Sequence, residues 1–336
     1  MPASEFDLIA AINERLPTAG SRIRVGSGDD AAVVESDRPS AVSVDAIVDG
    51  VHFRLSDFGA VAVGRKALAA GLSDLAAMGA VAGEAYVVVG APDDLDDPDL
   101  LGIAEGLAEV ASREQVTIAG GDLVASPALV VSVTSIGYEP DGSSLITRSG
   151  ARPGDVIAVT GELGGAAAAV ALLDADDEAP LPAALREALL ARQFDPRPRL
   201  REGVALAAAG ATAMIDVSDG LGADAGHLAR ASGCGIEIDL GRLPVARGVG
   251  EVAGSDDAAM DLAASGGEDY ELLVALPEER VAAARSGVEK AGSPLTAIGY
   301  AIDGGGVALR LSDGRELDPR GFDQRRGSRS GSGRTG

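Results

Sequence analysis

The sequence predicts a mixed α and β protein of two domains. Its 336 residues exceed what one domain usually holds, and hydrophobic residues make up 46% of them, enough for sizeable cores. Short apolar runs of strand length alternate with alanine-rich amphipathic runs of helix length. This alternation is typical of folds that combine helices with a sheet.

The first half of the chain contains the elements of one sheet. Amphipathic spacing predicts a short helix over residues 3–16. Apolar runs rich in β-branched residues predict a sheet of about five strands, drawn from residues 23–25, 31–34, 41–44, 85–89, 115–118 and 128–136.

Two long helices accompany these strands, at residues 60–80 and 99–113. The second follows Asp96, Asp97 and Pro98, residue types that are favoured where helices begin. The first contains Gly64 and Gly71. Each glycine costs about 1 kcal/mol relative to alanine inside a helix, so close packing or a nearby ligand should compensate.

A polar stretch rich in Gly, Ser and Pro, residues 138–155, is the best candidate for a linker. The second half repeats the α plus β plan of the first. Strands are expected at residues 156–160, 213–215, 236–240, 270–275, 296–302 and 307–311. One helix is expected after a turn at residues 161–165, and others at residues 183–193, 198–209, 221–231 and 278–290. We therefore expect an N-terminal domain over 1–140, a C-terminal α/β domain over 150–322 and a basic, disordered tail over 323–336.

The composition excludes several classes of partner. A formal net charge of −24 makes nucleic acids and anionic membrane surfaces unsuitable as partners.

The sequence also indicates where the protein is located. No run approaches the roughly 20 apolar residues of a membrane helix, and charged residues interrupt the N-terminus where a signal peptide would need an apolar core. The single cysteine, Cys234, excludes an intrachain disulfide. We expect a cytoplasmic protein.

Several acidic residues lie directly beside apolar segments, at Asp29, Asp30, Asp45, Asp74, Asp122, Asp216 and Asp219. Alone, each is most simply a solvated carboxylate at the end of an element. Together, carboxylates from separate segments can converge on one cleft, where they suit Mg²⁺ bound through carboxylates and substrate phosphates. With two histidines and one cysteine in the chain, a His or Cys metal site is disfavoured.

Glycine motifs do not indicate a familiar nucleotide loop. Gly26-Ser-Gly-Asp-Asp-Ala31 matches the spacing of a dinucleotide fingerprint, but β-branched residues follow where a helix is required. No P-loop with its lysine occurs. His52 and His227 are most simply structural, and Arg148 lies in the linker, where it could be solvated or could clamp a phosphate.

The motifs taken together resemble the thiamine-monophosphate kinase family, of the superfamily that also holds aminoimidazole ribonucleotide synthetase. The matching pieces are Gly28-Asp-Asp-Ala-Ala-Val33, Asp49-Gly-Val-His-Phe53, Leu72-Ser-Asp-Leu-Ala-Ala-Met-Gly79, Gly120-Gly-Asp122, Arg148-Ser-Gly-Ala-Arg-Pro-Gly-Asp155, Ile215-Asp-Val-Ser-Asp-Gly-Leu221 and Ser265-Gly-Gly-Glu-Asp-Tyr-Glu-Leu272. Glu5-Phe-Asp-Leu-Ile9 and Lys66-Ala-Leu-Ala69 match as well, and the resemblance as a whole runs in order from about residue 5 to residue 322.

The resemblance implies that ATP and thiamine monophosphate give ADP and thiamine diphosphate. It also implies a homodimer whose N-terminal sheets pair into a barrel, with ATP bound near the interface, several Mg²⁺ ions and, as an open point, K⁺. The acceptor is a phosphate oxygen that is already ionised near neutral pH. No general base is therefore assigned, and the chemistry consists of positioning and charge stabilisation.

Roles carry over from the family to matching positions. The implied metal ligands are Asp30, Ser43, Val44 through its backbone, Asp45, Asp74, Asp122, Asp216 and Asp219. The implied ATP contacts are Gly121, Asp122, Arg148 and Ser218. The implied substrate contacts are His52, Glu268 and Phe322, of which the last offers an aromatic face to the cationic thiazolium ring.

This sequence departs from the family pattern at three places: Gly71 replaces an Asn, Leu123 replaces a Thr, and the Pro after Met-Gly-Ala is absent at Val81-Ala82. These departures concern residues beside the site rather than the reaction. Two alternatives stay open at this point. One is another ATP-using activity of the superfamily, such as aminoimidazole ribonucleotide synthetase, and the other is a non-catalytic sensor of nucleotide and metal.

Overall fold

A computed structural model describes residues 11–12, 14–16, 22–25, 33–175, 181–319, 321–323 and 328–329. The helices are α1 (Leu55–Phe58), α2 (Ala60–Ala77), α3 (Asp97–Glu114), α4 (Gly165–Asp174), α5 (Ala183–Phe194), α6 (Leu200–Ala209), α7 (Leu221–Ser232), α8 (Val249–Ala253), α9 (Asp256–Ser265) and α10 (Val281–Ala291). The strands are β1 (Ile23–Val25), β2 (Val33–Val34), β3 (Ser40–Val48), β4 (Val81–Ala91), β5 (Thr117–Ala125), β6 (Val130–Tyr138), β7 (Val156–Thr160), β8 (Ala213–Val217), β9 (Gly235–Asp239), β10 (Glu271–Leu276), β11 (Leu295–Ile302), β12 (Gly306–Arg310), β13 (Glu316–Leu317), β14 (Phe322–Asp323) and β15 (Ser328–Arg329).

The described residues form two compact units, and the prediction of a mixed α and β fold is confirmed. The first unit comprises the described residues of Met1–Leu75, Ala80–Pro140 and Phe194–Pro196, and the second those of Ala76–Gly79, Asp141–Gln193 and Arg197–Gly336. None of the helices in the described residues combines the length and the apolar character that crossing a bilayer requires.

The first unit contains, among its described residues, a four-stranded sheet of order β3-β6-β4-β5. Neighbouring strands run antiparallel except β4 and β5, which are parallel and joined through α3. β1 and β2 form a separate antiparallel pair rather than joining this sheet, so the expected sheet of about five strands was wrong in that detail.

One face of this sheet packs against α2, and glycine permits the close approach. The Ser135 hydroxyl donates to the Gly71 carbonyl oxygen at 2.6 Å. A Cβ at Gly71 would lie 3.2 Å from Cγ1 of Val133 on the same strand. Gly71, where the family pattern has an asparagine, is therefore a packing position in this chain.

Helices α2 and α3 touch backbone to backbone. A Cβ at Gly64 would lie 2.0 Å from the Ile103 carbonyl oxygen, and one at Gly106 would lie 1.9 Å from the Val61 carbonyl oxygen. The expectation that packing compensates the glycines inside the first long helix is thereby confirmed. The second helix begins as predicted, since the Asp96 side chain accepts a hydrogen bond from the Asp99 amide at 2.9 Å.

The opposite face of the same sheet exposes apolar side chains. Five valines on it are 41–68% exposed, namely Val42, Val44, Val81, Val88 and Val124. Val42 and Val44 are even-numbered residues of β3, and the strand pairing places each of the other three valines opposite an even-numbered residue of β3 across the sheet. Alternate residues of a strand point to the same face, so all five side chains lie on one face. We refer to these five residues as the valine face.

The second unit contains, within its described part, a seven-stranded sheet of order β13-β12-β9-β11-β7-β10-β8. It is antiparallel apart from the β9–β12 pair. Strands β7, β8 and β10 are buried along their whole length. Their core includes Ile157, Ile215 and Leu273, which pack with α7 residues such as Leu228.

Helices α8 and α9 were not predicted, because they consist largely of small residues and their apolar residues show only a weak helical periodicity.

Strand β5 was predicted too short. The expected strand ended at residue 118, but β5 continues to Ala125 through Gly120, Gly121 and Asp122. Two successive glycines normally weaken a strand, and here pairing with β4 overrides that local preference. The expected helix over 3–16 falls largely on residues outside the described ranges.

Candidate functional site

Ser43 and Asp74 form the best-defined part of the site in the first unit. Ser43 lies on the face of β3 that meets α2, and Asp74 lies on the last turns of α2. The Ser43 hydroxyl donates a hydrogen bond to Oδ2 of Asp74. A strand residue and a helix residue thus present adjacent oxygen atoms, as the implied metal roles of both require.

Asp45 and Asp122 lie on different edges of the same sheet. Asp45 is two residues beyond Ser43 on edge strand β3, and its Oδ1 accepts from the Ala46 amide at 2.8 Å. Asp122 lies on the other edge strand, β5, and its Oδ1 accepts from the Leu123 amide at 2.9 Å. Because β6 and β4 lie between these edges, the backbones of β3 and β5 are about 14 Å apart, at about 4.8 Å per strand spacing. The register also places Asp122 in the same row as Ala46, so its side chain lies on the opposite face of the sheet from that of Asp45.

An apolar cavity adjoins β5. Its lining includes Val87, Val89, Leu100, Ile103, Leu107 and Ile118, and it reaches Gly121 and Asp122. The cavity lies between α3 and the sheet, and its apolar walls would suit a flat aromatic group.

His52 follows β3 in a turn. Its Nδ1 accepts a hydrogen bond from the Val48 amide at 3.1 Å, which leaves Nε2 to carry the proton of the neutral ring. The next residue, Phe53, is buried and packs near Phe58, with ring centroids 6.1 Å apart. The half-buried imidazole is therefore held by the backbone of its own turn.

The acidic motif of the second unit begins in β8. Asp216 is in the buried strand, and Ser218 and Asp219 follow in the loop before α7. Oδ2 of Asp224, one turn into α7, accepts from the amides of Ser218, Asp219 and Gly220 at 3.0–3.1 Å. Asp224 therefore fixes the loop that carries the predicted site residues.

Burial raises the pKa of Asp224 well above its ordinary value, and the negative charges of Asp216 and Asp219 raise it further. The three carboxyl groups thus lie close together, in a region where the charge of one disfavours ionisation of the next. Such a region favours cations, and an oxygen-only donor set is the kind that Mg²⁺ prefers.

Two other segments touch this loop. A Cβ at Gly267 would lie 2.4 Å from the Ser218 carbonyl oxygen, and one at Gly321 would lie 2.8 Å from the Asp219 carbonyl oxygen. The Glu268 amide donates to the Ser218 carbonyl oxygen at 2.8 Å. The structure therefore brings Ser218, Asp219 and Glu268 together with the backbone that leads into Phe322.

Not every predicted residue can be placed in this way. Asp30 lies outside the described residues. Arg148 has an exposed side chain, and its carbonyl oxygen accepts from the Ser232 hydroxyl at 3.1 Å. Within the described ranges, no group of three or more His, Cys, Asp or Glu side chains is close enough to hold a metal ion. Ser43 and Asp74 are in contact in the first unit, and the metal role of the predicted ligands stays a prediction.

Sequence reasoning missed three residues that support the site: Asp224, Gln193 and Asp269. Asp224 follows the Asp-Gly-Leu motif by three residues, at the spacing from which a side chain can reach back to a loop before a helix. Asp269 was part of a quoted motif without a role. Gln193 carried no signal, since a single glutamine in an amphipathic helix is usually solvated.

Two family models match the chain. The AIR synthase related protein N-terminal domain covers residues 28–138, and the AIR synthase related protein C-terminal domain covers residues 152–312.

Curated relatives are similar over most of their length. The thiamine-monophosphate kinase of Escherichia coli (strain K12) is 36% identical over 335 residues, covering 96% of this chain and 98% of that protein. The thiamine-monophosphate kinase of Halobacterium salinarum is 40% identical over 278 residues, covering 83% of this chain and 89% of that protein.

Solved structures are similar as well. The thiamine-monophosphate kinase of Stenotrophomonas maltophilia K279a has a TM-score of 0.82 at 35% identity, covering 94% of this chain and 99% of that one. A structure described as AaThiL complexed with AMPPCP and TMP has a TM-score of 0.76 at 30% identity, covering 95% of this chain and 96% of that one. A hydrogenase maturation protein of E. coli, HypE, shares the fold at 20% identity with a TM-score of 0.71.

Proposed function

The chain belongs to the thiamine-monophosphate kinase family of AIR synthase related proteins, and we propose that it catalyses direct in-line transfer of a phosphoryl group with the help of several Mg²⁺ ions. It is an ATP-dependent kinase that converts thiamine monophosphate to thiamine diphosphate. The observation that carries this conclusion is the 36% identity to the E. coli kinase across 96% of this chain and 98% of that protein.

The proposed metal ligands are those that the family resemblance implies. They are the carboxylates of Asp30, Asp45, Asp74, Asp122, Asp216 and Asp219, the hydroxyl of Ser43 and the backbone of Val44. The donor chemistry supports Mg²⁺, because every ligand is an oxygen atom and Ser43 lies within hydrogen-bond reach of Asp74. When bound, Mg²⁺ would screen the two polyanionic substrates from each other and neutralise charge on the transferred group.

The protein side chains in this proposal position and bind rather than exchange protons. The acceptor phosphate oxygen is already ionised near neutral pH, so no residue is assigned as a general base. Aligning donor and acceptor at near-attack distance is a large part of the rate enhancement available to such an enzyme. The loop held by Asp224 supports this role, because three backbone hydrogen bonds fix Ser218 and Asp219 before any ligand binds.

ATP is proposed to bind through Gly121, Asp122, Arg148 and Ser218. The apolar cavity that reaches Gly121 and Asp122 supports a place for the adenine ring, since aliphatic walls bind a flat aromatic base. Gly121 leaves no room for a side chain, because a Cβ there would lie 2.2 Å from the Val87 carbonyl oxygen. Arg148 is exposed and could reach a phosphate with a bidentate contact.

Thiamine monophosphate is proposed to contact His52, Glu268 and Phe322. Its thiazolium ring is cationic, so a carboxylate and an aromatic face are suitable partners. The contact between the Gly321 backbone and Asp219 supports a place for Phe322 near the acidic loop of the second unit.

We further propose a homodimer formed through the valine face, with the N-terminal sheets pairing into a barrel. The support is an apolar face on an otherwise acidic protein, with Val44 68% exposed and Val42 60% exposed. The positions of Asp45 and Asp122 on opposite sheet edges also favour a dimer, since a second copy could bring the Asp122 edge of one chain to the Asp45 edge of the other.

The remaining proposals concern organisation and conditions. Residues 1–140 form the ATP-binding and dimerisation domain, residues 150–322 form the second α/β domain, and residues 323–336 form a tail. K⁺ is a candidate additional cofactor. The requirement for ATP favours the cytoplasm as the location.

The test is a direct assay of the purified protein with ATP, Mg²⁺ and thiamine monophosphate. Thiamine diphosphate is oxidised to its fluorescent thiochrome derivative and separated by chromatography, and ADP is measured in parallel. We expect equal amounts of the two products and none when either substrate or Mg²⁺ is left out. ADP release without thiamine diphosphate would contradict the kinase assignment, and cyclised product from formylglycinamidine ribonucleotide would favour the synthetase alternative.

A further inference from the structure

The segment that carries Glu268 has an unusual backbone. Glu268 has a φ of 68° and Tyr270 a φ of 50°, in the left-handed region that non-glycine residues rarely adopt. Such residues are strained and persist only where their surroundings hold them. Two of them within three residues indicate a segment whose shape is imposed from outside.

Three hydrogen-bonded anchors impose that shape. The Glu268 amide donates to the Ser218 carbonyl oxygen at 2.8 Å, and the Tyr270 amide donates to the Val217 carbonyl oxygen at 2.9 Å. Between them, the buried Asp269 carboxylate accepts from the Gly164 amide at 2.7 Å and from the Ala166 amide at 3.1 Å. Asp269 thus joins the segment to the N-terminus of α4, and Glu268 projects from a fixed backbone.

The Glu268 side chain is itself held by Gln193. The Gln193 amide nitrogen, Nε2, donates to Oε2 of Glu268 at 3.0 Å and to the Ala166 carbonyl oxygen at 3.2 Å. Gln193 is 1% exposed, so losing these partners would leave a buried amide unsatisfied. Ala166 of α4 therefore binds Asp269 through its amide and Gln193 through its carbonyl oxygen, and Gln193 in turn binds Glu268.

We propose that Gln193 is a positioning residue that fixes the Glu268 carboxylate for binding the cationic substrate, an inference that rests on the proposed function. A carboxylate held at one oxygen does not lose rotational freedom when the ligand arrives, so its contact with the ligand is stronger. Gln193 therefore affects the KM for thiamine monophosphate and not the KM for ATP, because its side chain binds Glu268, which is proposed to contact thiamine monophosphate.

Gln193→Leu tests this role, since leucine keeps most of the buried volume and removes both donors. We expect the KM for thiamine monophosphate to rise about tenfold, at the lower end of what a hydrogen bond to a charged group provides. We expect the KM for ATP and kcat to stay within about twofold of wild type. Leu189→Ala is the matched control, because Leu189 lies one turn earlier on α5, is 1% exposed and packs in a separate apolar cluster. It should lower thermal stability and leave both KM values unchanged.

Gln193→Glu gives a readout that a merely structural role would not produce. It places two carboxylates at hydrogen-bond distance, where they repel each other when both are ionised and share a proton when one is not. The KM of this variant for thiamine monophosphate should therefore be furthest above the wild-type value at pH 8. At pH 6 the KM of the variant should approach the wild-type value.

A double-mutant cycle decides whether Gln193 acts through Glu268. In the Glu268→Ala background, Gln193→Leu should cause no further rise in the KM for thiamine monophosphate. The inference would be overturned if Gln193→Leu raised the KM for thiamine monophosphate by the same factor in the wild-type and Glu268→Ala backgrounds. It would also be overturned if Gln193→Leu raised the KM for ATP as much as the KM for thiamine monophosphate.

Calorimetric binding of thiamine monophosphate separates this inference from the function on which it rests. If the wild-type protein binds thiamine monophosphate but forms no thiamine diphosphate, only the kinase assignment is overturned. The double-mutant cycle can then be carried out with dissociation constants in place of KM values. A wild-type protein that does not bind the ligand would overturn both.

Discussion

At the scale of single residues, Asp74 is the predicted metal ligand with the clearest structural support. Its Oδ2 accepts a hydrogen bond from the Ser43 hydroxyl, so two oxygen atoms that could bind one metal ion lie side by side. Asp74→Asn keeps the size of the side chain and the acceptor for Ser43, but removes the charge. We expect kcat/KM to fall roughly 100-fold or more while the melting temperature changes little.

The matched control for Asp74→Asn is Asp93→Asn. Asp93 is exposed in the turn between β4 and α3, so this variant makes the same change in net charge away from the site. Steady-state kinetics at several Mg²⁺ concentrations provide the measurement. Wild-type turnover and an unchanged Mg²⁺ requirement in Asp74→Asn would remove Asp74 from the metal site.

Asp269 gives a prediction about pH. Burial raises its pKa to about 7, and the neighbouring Glu271 contributes, while the Gly164 and Ala166 amides and Arg192 act in the opposite direction. A folded-state pKa above the unfolded value of about 4 stabilises the protein below pH 4, and this stabilisation is lost as the pH rises through about 7. We expect this group to lower the free energy of unfolding by up to about 1.4 kcal/mol per pH unit in that interval.

Asp269→Asn should remove this pH dependence, because asparagine does not titrate. The measurement is the free energy of unfolding of both proteins at intervals between pH 5 and pH 8. The free energy of unfolding of wild type minus that of the variant should fall between pH 5 and about pH 7 and level off above pH 7. Parallel curves would show that Asp269 titrates normally in the folded state.

Candidate residues of the site could be identified where a charged side chain lies beside an apolar run, as with Asp74 and Asp216, whose metal role stays a prediction. They were not predictable where function depends on a neutral partner. Gln193 and Glu268 are 75 positions apart in the chain, and no local sequence pattern predicts their contact. Asp269 was recognisable as part of a motif, but its binding to the start of α4 depends on the tertiary fold.

At the scale of elements, the contact between α2 and α3 depends on glycine at each crossing point. Gly64→Ala would drive a methyl group into the Ile103 carbonyl oxygen, so the helices would have to separate. We expect a loss of about 1–3 kcal/mol or more, despite the gain of about 1 kcal/mol in helix propensity. Differential scanning calorimetry would detect this as a lower melting temperature.

Gly226→Ala is the control for that experiment. Gly226 lies inside α7, and a Cβ there would have no neighbour within 4 Å. This variant should therefore leave the melting temperature unchanged or raise it. If Gly64→Ala behaved in the same way, the backbone contact between α2 and α3 would be absent in solution.

Most elements could be predicted because their apolar periods are strong. Apart from β5, the clearest failure was the separate β1–β2 pair. The sequence identified both strands but could not assign their partner, since strand pairing is decided by tertiary contacts rather than by local propensity.

At the scale of the whole molecule, the valine face predicts the oligomeric state. Val42→Asp would place a charge on an apolar surface that the proposed dimer buries. We expect a shift from dimer to monomer in light scattering coupled to size-exclusion chromatography. Val51→Asp is the control, because Val51 is also exposed but lies in the turn after β3. A wild-type monomer, or a Val42→Asp dimer of unchanged stability, would argue against this interface.

The separation of Asp45 and Asp122 leads to a complementation test. If one active site takes these residues from two chains, Asp45→Asn and Asp122→Asn should each be inactive as homodimers. Mixed dimers would contain one intact site, so random reassembly of equal amounts should restore about a quarter of wild-type activity. No recovery after verified subunit exchange would show that both residues act within one chain.

The order of strands in the seven-stranded sheet also affects how the protein is synthesised. Strand β7 is made early, but its register partner in β10 follows more than a hundred residues later, as the pairing of Val159 with Leu273 shows. At about 5–20 residues per second, the ribosome needs roughly 6–20 s to produce that partner. During this time β7, which is apolar except for its last residue, has no partner strand to pair with, because both of its neighbours in the sheet follow it in the chain. Nascent chains are therefore most prone to aggregate in this interval, and slower translation would prolong their need for a chaperone.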